Sequence, residues 1–423
     1  MSTPTVTDDR TAPAAAGRTT GRAVVTGLGV LAPNGLSAEA YWEAVLAGRN
    51  GIRRITRFDP APYPSVLAGE ITDYRAEDHI PSRLLPQTDH VTRLSLTAGE
   101  AALADAGVDP AELDEYGAGV VTASSAGGFE FGQRELQALW SKGGSHVSAY
   151  QSFAWFYAVN TGQLSIRHGM RGPSGVLVSE QAGGLDAIAQ ARRQLRKGIG
   201  LLLTGAVDGS LCPWGWTAQL AGGGLSTRTD PARAYLPFDQ DANGFVPGEG
   251  GAVLVLEEAG AAAARGARVY GEIAGYAATF DPRPGSGRPP GLRRAVELAL
   301  VDAGVAPADV DVVFADAAGT PEADRAEAEA LAAVFGPGGV PVTAPKTLTG
   351  RLNAGGAALD VATALLALRD GVVPPTAHVT RPAWGGHIAL VTGAPLRAPL
   401  RHALVLARGR GGFNTALLVR GTA

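Results

Sequence analysis

The sequence carries one cysteine, Cys212. An internal disulfide framework is therefore excluded, and so is a cysteine-based metal cluster. No metal site is expected, and the cytoplasm is the natural compartment. Charge is also scarce: 18% of residues are charged, below the roughly 25% of an ordinary globular chain. The net charge of -4, from 36 basic and 40 acidic side chains, offers nothing to DNA, RNA or an anionic membrane. No apolar run reaches eighteen residues, so no membrane span is expected. The first twenty residues are mostly Thr, Ala, Pro and Asp without an apolar core. They read as a loose tail over residues 1–21, not as a signal peptide.

What is present is glycine, 58 of 423 residues, roughly twice the usual share. It follows no period of three, which excludes collagen. A hydrophobic content of 45% excludes disorder for most of the chain. The length allows two or three domain-sized units. Strands are expected at 23–29, 119–122, 176–178, 201–206, 248–257, 310–315, 388–391 and 402–407. Helices are expected at 38–46, capped by Ser37, and at 93–106, 182–197, 292–302, 324–334 and 357–368. This alternation argues for layered α/β with mixed or parallel sheets. The strand at 176–178 is expected to be buried. Segments 214–250 and 276–291 read as long packed loops.

Two glycine motifs suggest phosphate sites and fail. Gly27-x-Gly29 is expected to open a tight turn, but the third glycine of a dinucleotide fingerprint is Ala32, followed by Pro33. Gly248-Glu249-Gly250-Gly251 lacks the Gly-Lys-Ser/Thr ending of a phosphate loop.

The informative stretch runs Gly172-Pro173-Ser174-Gly175-Val176-Leu177-Val178-Ser179-Glu180-Gln181-Ala182-Gly183-Gly184-Leu185-Asp186. It reads as strand, abrupt turn, helix, with residue 181 at the turn where the first free N–H groups of a helix point. Such a position activates a nucleophile, yet the residue is Gln181. Its amide donates and accepts hydrogen bonds but cannot carry an acyl group. The residues alone leave two readings, a buried structural glutamine or a donor to a ligand oxygen.

With Val178-Ser179-Glu180-Gln181-Ala182-Gly183-Gly184 on the page, together with Ser152-Phe153-Ala154-Trp155-Phe156-Tyr157 and Pro213-Trp214-Gly215-Trp216, the chain resembles the β-ketoacyl synthases of the thiolase superfamily. Within them it resembles most the chain length factors, or ketosynthase β subunits, of bacterial type II aromatic polyketide synthases. The resemblance implies a thiolase-like fold, layered α-β-α-β-α from two similar halves, with the halves at 22–257 and 258–423. It also places the family's catalytic set. The nucleophilic cysteine is Gln181 here. The first histidine is Asp316, the second is Arg351, and the lysine is Lys346. Glu327 and Asp324 persist. The family's Phe-Gly-Phe-Gly-Gly-His-Asn loop reads Arg408-Gly409-Arg410-Gly411-Gly412-Phe413-Asn414.

Claisen condensation needs a thiolate to hold the growing chain and neutral imidazoles to steady an enolate. The chain has neither at these positions. Lys346 and Glu327 are expected to form an ion pair, with a catalytic role as the alternative. The resemblance implies a heterodimer with a catalytic ketosynthase α subunit, and substrate delivered on the phosphopantetheine arm of an acyl carrier protein, with no cofactor bound by the chain itself. It further implies that Phe129, Gly132 and Leu136 line the closed end of a polyketide tunnel, since their spacing of three and four puts them on one face if the segment is helical. Small Gly132 and moderate Leu136 point to a product longer than an octaketide. Phe153, Trp155, Phe156 and Tyr157 are too aromatic for a solvent face, and fit either a core strand or a subunit interface. A malonyl-carrier-protein decarboxylase working through Gln181 is the alternative function.

Overall fold

A computed structural model describes residues 21–283 and 285–422. The tail expected over residues 1–21 lies, apart from Gly21, outside the described residues. The first part of the chain forms β1 (Ala23–Leu31), a small ribbon β2 (Ile52–Arg54) and β3 (Leu67–Gly69), then β4 (Ala118–Ala123), β5 (Ser174–Leu177), β6 (Leu201–Asp208) and β7 (Gly250–Glu258). The second part forms β8 (Gly271–Phe280), β9 (Val312–Phe314), β10 (Pro341–Thr343), β11 (Val372–Val373), β12 (Ala389–Leu390), β13 (Leu396–Arg397), β14 (His402–Gly409) and β15 (Phe413–Gly421). The helices are α1 (Ala38–Leu46), α2 (His90–Ala106), α3 (Phe129–Lys142), α4 (Gln151–Ala154), α5 (Val159–His168), α6 (Gly183–Leu195), α7 (Pro213–Ala221), α8 (Ala259–Ala264), α9 (Leu292–Ala303), α10 (Pro321–Phe335) and α11 (Ala354–Asp370).

The large strands run in the order β12-β10-β9-β14-β15-β8-β1-β7-β6-β4-β5. Within the sheet, the two parts join where Val24 and Val25 of β1 pair with Glu272 and Gly271 of β8. On either side the pattern repeats. β1 pairs antiparallel with β7, β7 antiparallel with β6, and β6 parallel with β4, which is parallel to β5. β8 pairs antiparallel with β15, β15 antiparallel with β14, and β14 parallel with β9, which is parallel to β10. Helices α6 and α11 lie between the two halves of the sheet, α2 and α5 cover one outer face, and α9 and α10 cover the other. The result is the expected thiolase-like stack of five layers.

The fold corrects several expectations. Gly27 and Gly29 open no turn, because β1 runs through both. A side chain at Gly27 would meet the carbonyl oxygen of Ala102 at 2.2 Å, and one at Gly29 that of Ala98 at 1.8 Å. These glycines let α2 lie directly on the strand. Gly275 of β8 does the same for α9, against Ala299 O at 2.3 Å, so the repeat extends to single residues. The strand near 176–178 is not buried. β5 is the terminal strand of the sheet, its residues are exposed or half-buried, and Val178 just beyond it is 53% exposed. Its apolar character reflects a face left open in the lone chain. Residues 213–221 are helix α7 and not loop, since Pro213 suits a first helical position beside the capping Cys212 sulfur. Residues 276–280 belong to β8.

Candidate functional site at the strand–helix elbow

Strand β5 delivers the chain to a tight elbow. Glu180 takes a left-handed backbone, φ 54°, a conformation that costs a non-glycine residue energy and concentrates at functional turns. Gln181 follows in a single 3-10 turn, Glu180–Ala182, that runs into α6. Asp186 of α6 anchors the elbow. It accepts from the Ser179 hydroxyl, from Tyr276 Oη at 2.8 Å and from Thr415 Oγ1 at 2.9 Å, which ties the elbow to β8 and β15.

Gln181 is only 8% exposed, and its side-chain amide bonds to no described residue. It borders a cleft of about 290 Å³ together with Asp316, Phe245, Arg351, Arg408, Arg410 and Phe413. No cysteine and no histidine lines this cleft among the described residues. Behind it lies a void of about 10 Å³ walled by Gln181, Asp316, Lys346 and Arg351, room for no more than about one water. The structure thus brings Gln181, Asp316, Lys346 and Arg351 together.

Asp316 and Arg351, both buried, form a two-point ion pair: Nη2 to Oδ1 at 2.9 Å and Nη1 to Oδ2 at 3.2 Å. Arg351 Nη1 also donates to the Asp316 carbonyl at 2.7 Å, and Asp316 Oδ1 accepts from Arg408 N at 2.8 Å. Burial pushes the Asp316 carboxyl up, but Arg351 and Lys346 outweigh it and hold the group below the usual carboxylate range. Burial likewise works against the Arg351 charge, and Asp316 more than restores it. Both members stay ionised at neutral pH, with the Phe245 ring 5.7 Å from the guanidinium.

Lys346 does not pair with Glu327. Its ammonium lies 2.7 Å from Asp360 Oδ2 on α11 and donates to the carbonyls of Ala315 and Asp316 at 2.8 and 3.1 Å. Glu327, fully buried on α10, accepts the backbone N–H groups of Asp316 and Ala317 at 2.8 and 2.9 Å. Burial, then the Asp316 charge, push its carboxyl up. Glu327 therefore holds the loop that carries Asp316, while Asp360 neutralises the lysine. Asp360 was missed from sequence, though a lone acid inside the apolar stretch Ala354–Leu368 was a visible signal.

Phe129, Gly132 and Leu136 do lie on one helix, α3, but they border different hollows. Phe129 lines one of about 180 Å³ that shares Glu180 and Arg410 with the elbow cleft. Leu136 lines another of about 320 Å³ with Trp140, Trp214 and Tyr63. Gly132 sits between Trp155 and Trp214, and the Trp214 ring also lies against Phe129, tilted by 37° with 4.6 Å between centroids. The segment with Phe153 is no core strand. It is the short helix α4 and a turn, with Phe153 half-buried and Trp155, Phe156 and Tyr157 each more than 40% exposed.

Family models decide the identity. The N-terminal domain model of beta-ketoacyl synthases matches residues 21–262 and the C-terminal one residues 270–380. The chain belongs to the beta-ketoacyl synthase family. Among its members the chain is 64% identical over 399 residues to the tetracenomycin polyketide synthase ketoacyl synthase beta subunit of Streptomyces glaucescens, covering 94% of this chain and 98% of that one. It is 62% identical over 398 residues to the actinorhodin polyketide putative beta-ketoacyl synthase 2 of Streptomyces coelicolor, with the same coverage. A chain of the ishigamide ketosynthase/chain length factor superposes with a TM-score of 0.85 at 26% identity, covering 95% of this chain and 99% of that chain. The resemblance to ketosynthase β subunits therefore stands. At its strand–helix elbow this member carries an amide and, beside it, an ion pair.

Proposed function

We propose that the chain is a non-condensing chain length factor, paired with a catalytic ketosynthase, whose walls set the number of malonyl extensions in an aromatic polyketide. The observation that carries this reading is the Asp316–Arg351 pair beside Gln181. A carboxylate occupied by a guanidinium supplies no donor to an enolate, and an amide supplies no nucleophile. The growing chain is then held on the partner's thiolate and delivered on an acyl carrier protein. The open edge of β5 offers unpaired backbone groups for strand pairing, and the exposed Trp155, Phe156, Tyr157 and Val178 supply the apolar surface that a permanent interface requires. Phe129, Gly132 and Leu136, grouped around Trp214, form the end of the tunnel, and the small Gly132 and moderate Leu136 favour a product longer than an octaketide. The test is reconstitution with a partner ketosynthase, carrier protein and malonyl donor, read by product mass. Polyketide should form only when both chains are present.

One observation favours a second reading, malonyl-carrier-protein decarboxylation. The Gln181 side chain, 8% exposed, lines the cleft, so its amide can reach an enolate oxygen there. Replacing Gln181 by Ala should then lower starter formation by up to about 10²–10³, with product restored by a supplied acetyl starter. Unchanged decarboxylation in that variant removes this reading and leaves the first intact.

A further inference from the structure

Helix α3 starts without a cap of its own. Its N-cap position is Gly128, which has no side chain to accept the free N–H groups of the first turn. A capping residue could not be placed there. A Cβ on Gly128 would lie 2.1 Å from the Ala154 carbonyl oxygen, and Gly128 N already donates to Trp155 O at 3.0 Å. The close contact between Gly127–Gly128 and the aromatic segment therefore forbids local capping. The acceptor comes instead from another helix. Asp89, 3% exposed, is the N-cap of α2, where Oδ1 accepts Val91 N at 2.9 Å. Its other oxygen, Oδ2, accepts Phe131 N at 2.7 Å, the third amide of α3. One carboxylate thus caps two helices. The chain of contacts continues, because Gln133 of α3 accepts Trp214 N at 2.7 Å in the first turn of α7.

We propose that Asp89 is a positioning residue for the product-length wall: by capping α3 from α2 it fixes where Phe129, Gly132 and, through Gln133, Trp214 stand. This rests on the reading of α3 as the tunnel end. Asp89 touches no part of the elbow cleft, so it acts only through α3 and α7. Loss of its second oxygen should leave the fold and the α2 cap in place while the wall samples more than one position, and a wall of variable position measures badly.

Asp89→Ser separates the two caps. A serine hydroxyl still caps α2 but offers no second oxygen to Phe131 N. In the complex with its ketosynthase, deuterium uptake across residues 129–133 should speed about tenfold, equal to about 1.4 kcal/mol, while residues 91–94 keep wild-type protection. The polyketide mass distribution should broaden at near-normal malonyl consumption. Unchanged uptake across 129–133 overturns the proposal. So does faster uptake with an unchanged product distribution, provided that Leu136→Phe measured alongside shifts product length. If Leu136→Phe shifts nothing, the tunnel-end reading has failed, and the uptake result still decides whether Asp89 caps α3. Should the Ser variant fail to assemble, Asp89→Asn, which keeps one acceptor oxygen, is judged by the same two readouts.

Discussion

Arg351 reaches across to Asp316 with both terminal nitrogens, at 2.9 and 3.2 Å, and both partners are largely buried. Breaking half of such a pair strands a buried charge, which costs about 3–5 kcal/mol. Arg351→Met and Asp316→Leu should each lower the chemical-denaturation stability of the complex by that order. The double variant should lose clearly less than the sum of the two. Additive losses would mean that the two groups do not interact.

A pH dependence follows from Asp324. Burial pushes its carboxyl up to about 7, against the opposing N–H groups of Phe238 and Gly319. An unfolded aspartate titrates near 3.9, so the folded chain holds this proton more tightly. Its contribution to stability is complete below about pH 4 and is lost as pH rises through 7. Asp324→Asn should flatten the decline between those values, a change on the order of a few kcal/mol at most. The amide has one acceptor oxygen for two donors, so the variant should also be less stable at low pH. Denaturant midpoints across pH 4–8 check this. An unchanged slope would show that Asp324 is ionised throughout.

Restoring a thiol at the elbow should not restore condensation. Gln181→Cys supplies a thiol, but the cleft still offers it no imidazole, and Asp316 and Arg351 beside it satisfy each other. With the partner's own nucleophile removed, the variant complex should release no polyketide by mass spectrometry. Product from that complex would show that the ion pair does not disable the site.

If the open face is the subunit interface, charge placed on it should weaken assembly. Trp155→Asp and Val178→Asp place charge on residues that are 43% and 53% exposed in the lone chain. Co-purification with the ketosynthase should fall at least tenfold, equivalent to about 1.4 kcal/mol. Tyr116→Asp, on an exposed aromatic outside this segment, should leave co-purification unchanged. Equal recovery of all three would place the interface elsewhere.

Much of the fold was legible because many of its strands and helices carry their own hydrophobic period. Ser37 does cap α1, through the amide of Ala40. The misreadings came from contacts distant in sequence. Gly27 and Gly29 look like a turn until α2 is laid on them, and β5 looks like a core strand because its apolar face is written for a surface the lone chain leaves open. At the site, motif matching placed Gln181, Asp316, Lys346 and Arg351 together. It could not show that Lys346 turns to Asp360 on α11, since the two lie on elements whose packing only the fold settles.

If α3 measures the product, changing the bulk of its side chains must change product length. Leu136 borders a hollow of about 320 Å³, so Leu136→Phe has space to enter. Gly132→Thr does not, because its Cβ would already lie 3.2 Å from Trp214 and 3.3 Å from Trp155, and overpacking costs about 1–3 kcal/mol. The polyketide mass distribution should therefore be compared between the parent complex, Leu136→Phe and Phe129→Ala, with the same ketosynthase and no cyclases. The account predicts products shorter by about one or two extensions from Leu136→Phe, at about the parent total rate and thermal stability since the larger ring fills a hollow rather than a packed core, and longer or more dispersed products from Phe129→Ala. Parent length at parent yield from both variants would contradict it.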